Sequence, residues 1–135
     1  MRPRFEDIYM RLALLMSERS TCTRLAVGAV ITTTDFRRVL AVGYNGNASG
    51  FPDTCDCATP GACGCLHAEE NACINCTEPR STPKVVFTTH LPCRMCAKRL
   101  INLGNVVRVY YRNDYRLRDG AEALSQAGIP CEHLP

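Results

Sequence analysis

One histidine, one glutamate and two cysteines carry the chemistry this sequence can do. His67-Ala68-Glu69 is followed, 23 residues after the glutamate, by Pro92-Cys93-Arg94-Met95-Cys96. An imidazole and two thiolates are ligands that suit Zn²⁺. Three protein ligands leave the fourth position open for water, as a catalytic zinc requires and a structural one does not. Zinc brings the pKa of such a water to about 7, so hydroxide is available at neutral pH. Glu69 is the general acid and base in this scheme, taking a proton from the water and handing it on. An exposed carboxylate is too acidic for that task, so burial must raise its pKa. The plainer alternative is a structural zinc knuckle, with Glu69 and Glu70 capping a helix. It leaves His-x-Glu and the Pro-Cys pair as a coincidence.

These residues need two helix starts that converge. His67 to Cys76 reads as a helix after a Gly-, Pro- and Cys-rich loop running from Gly50 to Gly64. Cys93 to Leu103 reads as another, closed by Gly104. The spacing of three puts Cys93 and Cys96 on one helical face, and the helix N-terminus favours thiolate over thiol. Around them, Phe5 to Arg19 is an amphipathic helix with Phe5, Ile8, Tyr9, Leu12, Leu15 and Met16 as its buried stripe. Leu25 to Ile31 and Val39 to Val42 form a hairpin, and Gly43-Tyr44-Asn45-Gly46 turns the chain out of it. Lys84 to Thr89 and Val106 to Tyr111 are further strands, and Asp119 to Ala127 is a last helix before Gly128. The order α-β-β-α-β-α-β-α implies a mixed sheet with parallel neighbours and helices on both faces.

Composition narrows the function classes. The 135 residues make a single domain, 1–135, and 46% of them are hydrophobic. No run of about 18 apolar residues could span a membrane. Arg2, Arg4, Glu6, Asp7 and Arg11 rule out a secretory signal in the first 15 residues, so the chain reads as intracellular and cytoplasmic. In a reducing compartment the ten cysteines point to metal ligands rather than disulfides. The net charge of +3, with no basic block, argues against a nucleic-acid partner. Arginine outnumbers lysine 14 to 2, which suits bidentate contacts to a small anionic substrate, although a bias of the source organism gives the same ratio.

H-x-E…P-C-x-x-C is the pattern of zinc-dependent nucleobase deaminases. The wider sequence resembles the deoxycytidylate (dCMP) deaminase family of the cytidine deaminase superfamily. The resemblance is carried by Ser20 to Val30 (STCTRLAVGAV), Gly43-Tyr44-Asn45-Gly46, His67 to Ala72 (HAEENA) and Thr89 to Cys96 (THLPCRMC). It implies a three-layer α/β/α sandwich around a five-stranded mixed sheet. It implies zinc-dependent hydrolysis of dCMP to dUMP and ammonia, feeding thymidylate synthesis, by a homo-oligomer that is often a hexamer. In the family's terms Asn45 hydrogen-bonds the nucleotide, the backbone at Ala68 holds the base carbonyl, Tyr115 lines the pocket and Arg24 meets the phosphate. Plain turn chemistry for Asn45 and a surface position for Tyr115 are the competing readings. Other substrates for the same machinery are dCTP, a 5-modified dCMP, cytidine or a tRNA adenosine. A non-catalytic, zinc-stapled accessory protein is the alternative of a different class.

The resemblance also implies a second, structural zinc, held by the cysteine of the Ser-Thr-Cys segment and by the loop after it. Five cysteines compete for four places. Cys22, Cys55, Cys63 and Cys65 are preferred, with Cys57 in reserve, and free buried cysteines are the competing reading. Cys73 and Cys76 fall at helical spacing and read as core residues. Cys131 reads as inert, His133 as part of a tail, and His90 as no ligand. Three departures from the family stand out. The loop between Gly50 and His67 is short and cysteine-rich. Glu70 replaces a common Met, and is expected to face a neighbouring subunit. Glu78 puts an acid where dCTP and dTTP effectors would need basic groups.

Overall fold

Alternating apolar residues and helical stripes resolve into nine elements in a computed structural model, which describes residues 1–56 and 63–135. They are α1 (Phe5–Ser17), β1 (Gly28–Thr33), β2 (Val39–Tyr44), α2 (Ala68–Asn75), β3 (Lys84–His90), α3 (Arg94–Leu103), β4 (Val106–Asn113), α4 (Asp119–Gln126) and β5 (Cys131–His133). The sheet order is β2-β1-β3-β4-β5. β1 runs antiparallel to β2 and β3, whereas β3, β4 and β5 are mutually parallel. This is the mixed five-stranded α/β sandwich that the resemblance implied.

The two faces of the sheet have separate cores. On one face Ala68 and Ala72 of α2, Ala97 and Leu100 of α3, and Ala123 and Leu124 of α4 pack on Ala29, Ile31, Val86 and Val109. Leu100 and Leu124 are fully buried, and each stabilises this layer by about 1.5–3 kcal/mol. On the other face α1, together with Phe36 and Leu134, covers Val30, Val85, Phe87 and Tyr110. Phe87 and Tyr110 stack there with ring centroids 5.2 Å apart.

Three expectations need correction. α1 does not bury Phe5, Ile8 and Leu15, which are exposed; Met10 and Ala13 are its buried residues. The reason is close approach. A Cβ on Gly28 would meet the Ala13 carbonyl oxygen at 2.0 Å, so α1 presses its small residue against β1 and rotates its bulkier side chains outward. The first strand begins at Gly28 rather than Leu25, because the Asn45 side chain, not a sheet ladder, holds the backbone at Leu25 and Val27. Residues 131–133 form β5 rather than a tail: three residues are too few for a period, but they pair in register with Val109, Tyr110 and Tyr111. Glu70 also makes contacts within its own chain. It accepts from the His67 backbone N–H at 3.2 Å and forms an ion pair with Arg99 at 3.2 Å.

Candidate active site

Both halves of the motif sit at helix N-termini on the same face of the sheet. His67 is the N-cap of α2, and Cys93 is the N-cap of α3. Leu66, just before His67, makes a two-way backbone bridge with Gly46, at 2.8 and 3.1 Å, so the loop enters α2 from a fixed point. α2 lies so close to β2 that a Cβ on Gly43 would meet the Ala68 carbonyl oxygen at 2.3 Å. His67 Nδ1 lies 3.3 Å from Cys96 Sγ and 3.5 Å from Cys93 Sγ. The ligand atoms of His67, Cys93 and Cys96 all lie within 4.8 Å of one another.

The donor set fits zinc. One imidazole nitrogen and two sulfurs can converge on one ion, with no fourth protein ligand in the cluster among the described residues. Cys93 is held down to about 3 by hydrogen bonding to the Cys96 thiol and then to His67, against the effect of its burial. The same Cys93–Cys96 bond, with burial, pushes the Cys96 thiol up. His67 is raised by the sulfur of Cys93. Glu69, at 4% exposure, is packed against this cluster, and burial pushes its carboxyl up to about 7.

These groups open on a cavity of about 550 Å³, within the range of small-molecule sites. His67, Ala68, Glu69 and Cys93 line it, as do Arg24, Asn45 and Tyr115. The Asn45 amide is already engaged twice: Oδ1 accepts from Val27 N–H at 2.8 Å, and Nδ2 donates to Leu25 O at 2.5 Å. That leaves one N–H and one lone pair for a ligand. The cavity wall also includes His90, Leu91, Asp114 and Arg116, which sequence reasoning did not select. They lie at or just past the carboxyl ends of β3 and β4, where ligands of open α/β sheets bind, so the strand pattern was the signal that could have found them.

Beside the cavity the sulfurs of Cys22, Cys55, Cys63 and Cys65 lie within 4.8 Å of one another. Cys55 Sγ is 3.7 Å from Cys22 Sγ and 3.6 Å from Cys65 Sγ. Hydrogen bonds from Thr23 lower the Cys55 thiol to about 7, while burial raises Cys65. Asp56 N–H donates to Cys63 O at 2.7 Å and brings the loop back on itself. Cys57 lies outside the described residues. Cys73, Cys76 and Cys131 pack against the hydrophobic core instead.

The family model described as "Cytidine and deoxycytidylate deaminase zinc-binding region" matches residues 3–113. The chain belongs to this family. ComE operon protein 2 of Bacillus subtilis is 35% identical over 96% of this chain and 71% of its own length. The deoxycytidylate deaminase of Saccharomyces cerevisiae is 33% identical over 96% of this chain, which spans only 44% of that protein. Among solved structures, the dCMP deaminase of cyanophage S-TIM5 in complex with dCMP and dUMP superposes with a TM-score of 0.86, at 36% identity over 99% of both chains. The cytidine and deoxycytidylate deaminases are a zinc-binding hydrolase family, so a zinc cofactor accords with the His67, Cys93 and Cys96 donors.

Proposed function

We propose that this chain converts dCMP and water into dUMP and ammonia, with zinc held by His67, Cys93 and Cys96. The observation that carries the reading is the buried Glu69 carboxyl on the same cavity wall as the three zinc donors. When bound, zinc supplies Lewis acidity that makes hydroxide available at neutral pH. Glu69 takes a proton from the attacking water and delivers it to the ring nitrogen next to the amino-bearing carbon. It then passes a proton to the departing ammonia. Burial supports this role, because a carboxyl raised to about 7 can both hold and release a proton near neutrality.

The other residues bind and orient. Ala68, whose side chain is fully buried, offers its backbone to the base carbonyl, and the spare N–H of Asn45 faces the nucleotide. Arg24 and Arg116 give the cavity wall two guanidinium groups for the phosphate, and Tyr115 lines the same wall with the Arg116 guanidinium 6.0 Å from its ring centroid. Arg118 pairs with Asp114 at 2.5 Å, which blunts the only acid of that loop segment.

The same reading places a second, structural zinc on Cys22, Cys55, Cys63 and Cys65. Four sulfurs in one cluster match a closed tetrahedral site, and the staple would brace the loop two residues ahead of His67. Control by dCTP and dTTP stands outside the reading. Glu78 is an acid paired with Arg38 and bonded by Thr82 at that point of the chain. Self-association of the chain belongs to the same reading, as the family resemblance implies. No helix among the described residues is long and apolar enough to cross a membrane, in keeping with action in the cytoplasm, of a host cell if the chain is viral. The testing experiment is ammonia release from dCMP by zinc-loaded protein, with cytidine, dCTP and 5-methyl-dCMP alongside. Preferred turnover of dCMP supports the assignment.

A further inference from the structure

His90 is the cavity residue that neither the zinc cluster nor the proton relay uses. It ends β3 beside Asn113 of β4, one residue before the Asp114 to Arg116 segment of the cavity wall. Hydrogen-bond accounting fixes its tautomer. Thr89 is 1% exposed, so its hydroxyl hydrogen needs a partner inside the protein. Thr89 Oγ1 already accepts the Gly28 N–H at 3.1 Å. The acceptor for its own hydrogen, among the described residues, is His90 Nδ1 at 3.0 Å. Nδ1 therefore accepts, and the ring proton sits on Nε2. Burial lowers the His90 pKa, which keeps the ring neutral and this tautomer in force. The Nε2–H has no protein partner among the described residues, while the residue lines the cavity.

We infer that His90 binds the substrate, its Nε2–H donating to an oxygen of the deoxyribose phosphate. The inference rests on the dCMP reading above and deepens it. The base-reacting groups are Glu69, the Ala68 backbone and the zinc donors, none of which His90 bonds. Its strand neighbour instead leads into the segment carrying Arg116, the guanidinium assigned to phosphate. A neutral donor held from behind by Thr89 orients a sugar or phosphate oxygen without adding charge. The bond exists equally before and during the chemical step, so it acts on binding rather than on kcat.

Two measurements test this. In the zinc-loaded wild-type protein, imidazole ¹⁵N spectra should show His90 protonated on Nε2, and addition of dUMP should shift that nitrogen. In kinetics, His90→Phe should raise KM for dCMP about tenfold, the scale of one lost hydrogen bond, with kcat within about twofold. His90→Gln, which restores an N–H at similar reach, should recover most of the loss. A loss shared by dCMP and deoxycytidine assigns the contact to the sugar, and a loss confined to dCMP assigns it to the phosphate. A ring protonated on Nδ1, an unshifted Nε2 on adding dUMP, or an unchanged KM in His90→Phe would overturn the inference. A wild-type protein silent on dCMP would instead overturn the reading on which it rests.

Discussion

Glu69→Gln keeps the size and hydrogen-bonding reach of the side chain but cannot hold the transferred proton. It is expected to lower kcat for dCMP by about 10²–10⁴-fold, the usual worth of a general acid and base, with zinc content and unfolding midpoint unchanged. Steady-state kinetics beside metal analysis checks both halves. The cysteines divide by environment in the same way. Burial pushes Cys73 and Cys131 up to about 11, so at pH 8 roughly one in a thousand of either thiol is thiolate. Mass mapping after brief iodoacetamide treatment of the zinc-loaded protein should leave both unmodified. At this scale the reactive centre was legible, because His-x-Glu and Cys-x-x-Cys are local patterns whose spacing already implies convergence. The rest of the wall was not. His90, Asp114 and Arg116 come from separate strand ends, and their meeting depends on the order β1-β3-β4, which no local spacing encodes.

Close backbone contacts set where the helices place these groups. Gly43→Ala puts a methyl group 2.3 Å from the Ala68 carbonyl oxygen. It should destabilise the fold by about 1–3 kcal/mol, and also lower kcat, since α2 carries His67 and Glu69. Denaturant unfolding and kinetics on the same sample separate the two effects. The loop staple makes its own demand. Cys65→Ser should lose one equivalent of zinc and lower the unfolding midpoint by roughly 10 °C, as expected for a loss of about 2–3 kcal/mol in a chain this size. Metal analysis with thermal unfolding checks it. Element types were readable from period and punctuation, but faces and ends were less so. The α1 stripe was misplaced by the Ala13–Gly28 contact, which is a property of two packed surfaces. β5 escaped notice because its three residues gain their structure only by pairing with β4.

For the whole molecule, the sheet has a division of labour. α1 and the aromatic residues beneath it stabilise one face, while the opposite face brings two helix N-termini and two strand ends to one cavity. Lys84 helps to hold this frame: its buried Nζ donates to the carbonyls of Pro79, Thr82 and Gly104 at 2.8–3.2 Å, joining the entry of β3 to the end of α3. The fold class followed from the alternation of strands and helices, and the number of strands from resemblance to the family, whereas the order β2-β1-β3-β4-β5 came only with the structure. The substrate is the least local property, because it depends on arginines and loop residues gathered from across the chain. The most direct test is therefore the initial rate of dCMP deamination by zinc-loaded wild-type protein and by Glu69→Gln, followed by loss of cytosine absorbance. The expected result is rapid conversion by the wild type and almost none by the variant, at equal zinc content. Equal rates in the two proteins, or no conversion by a fully zinc-loaded wild type, would contradict the assignment.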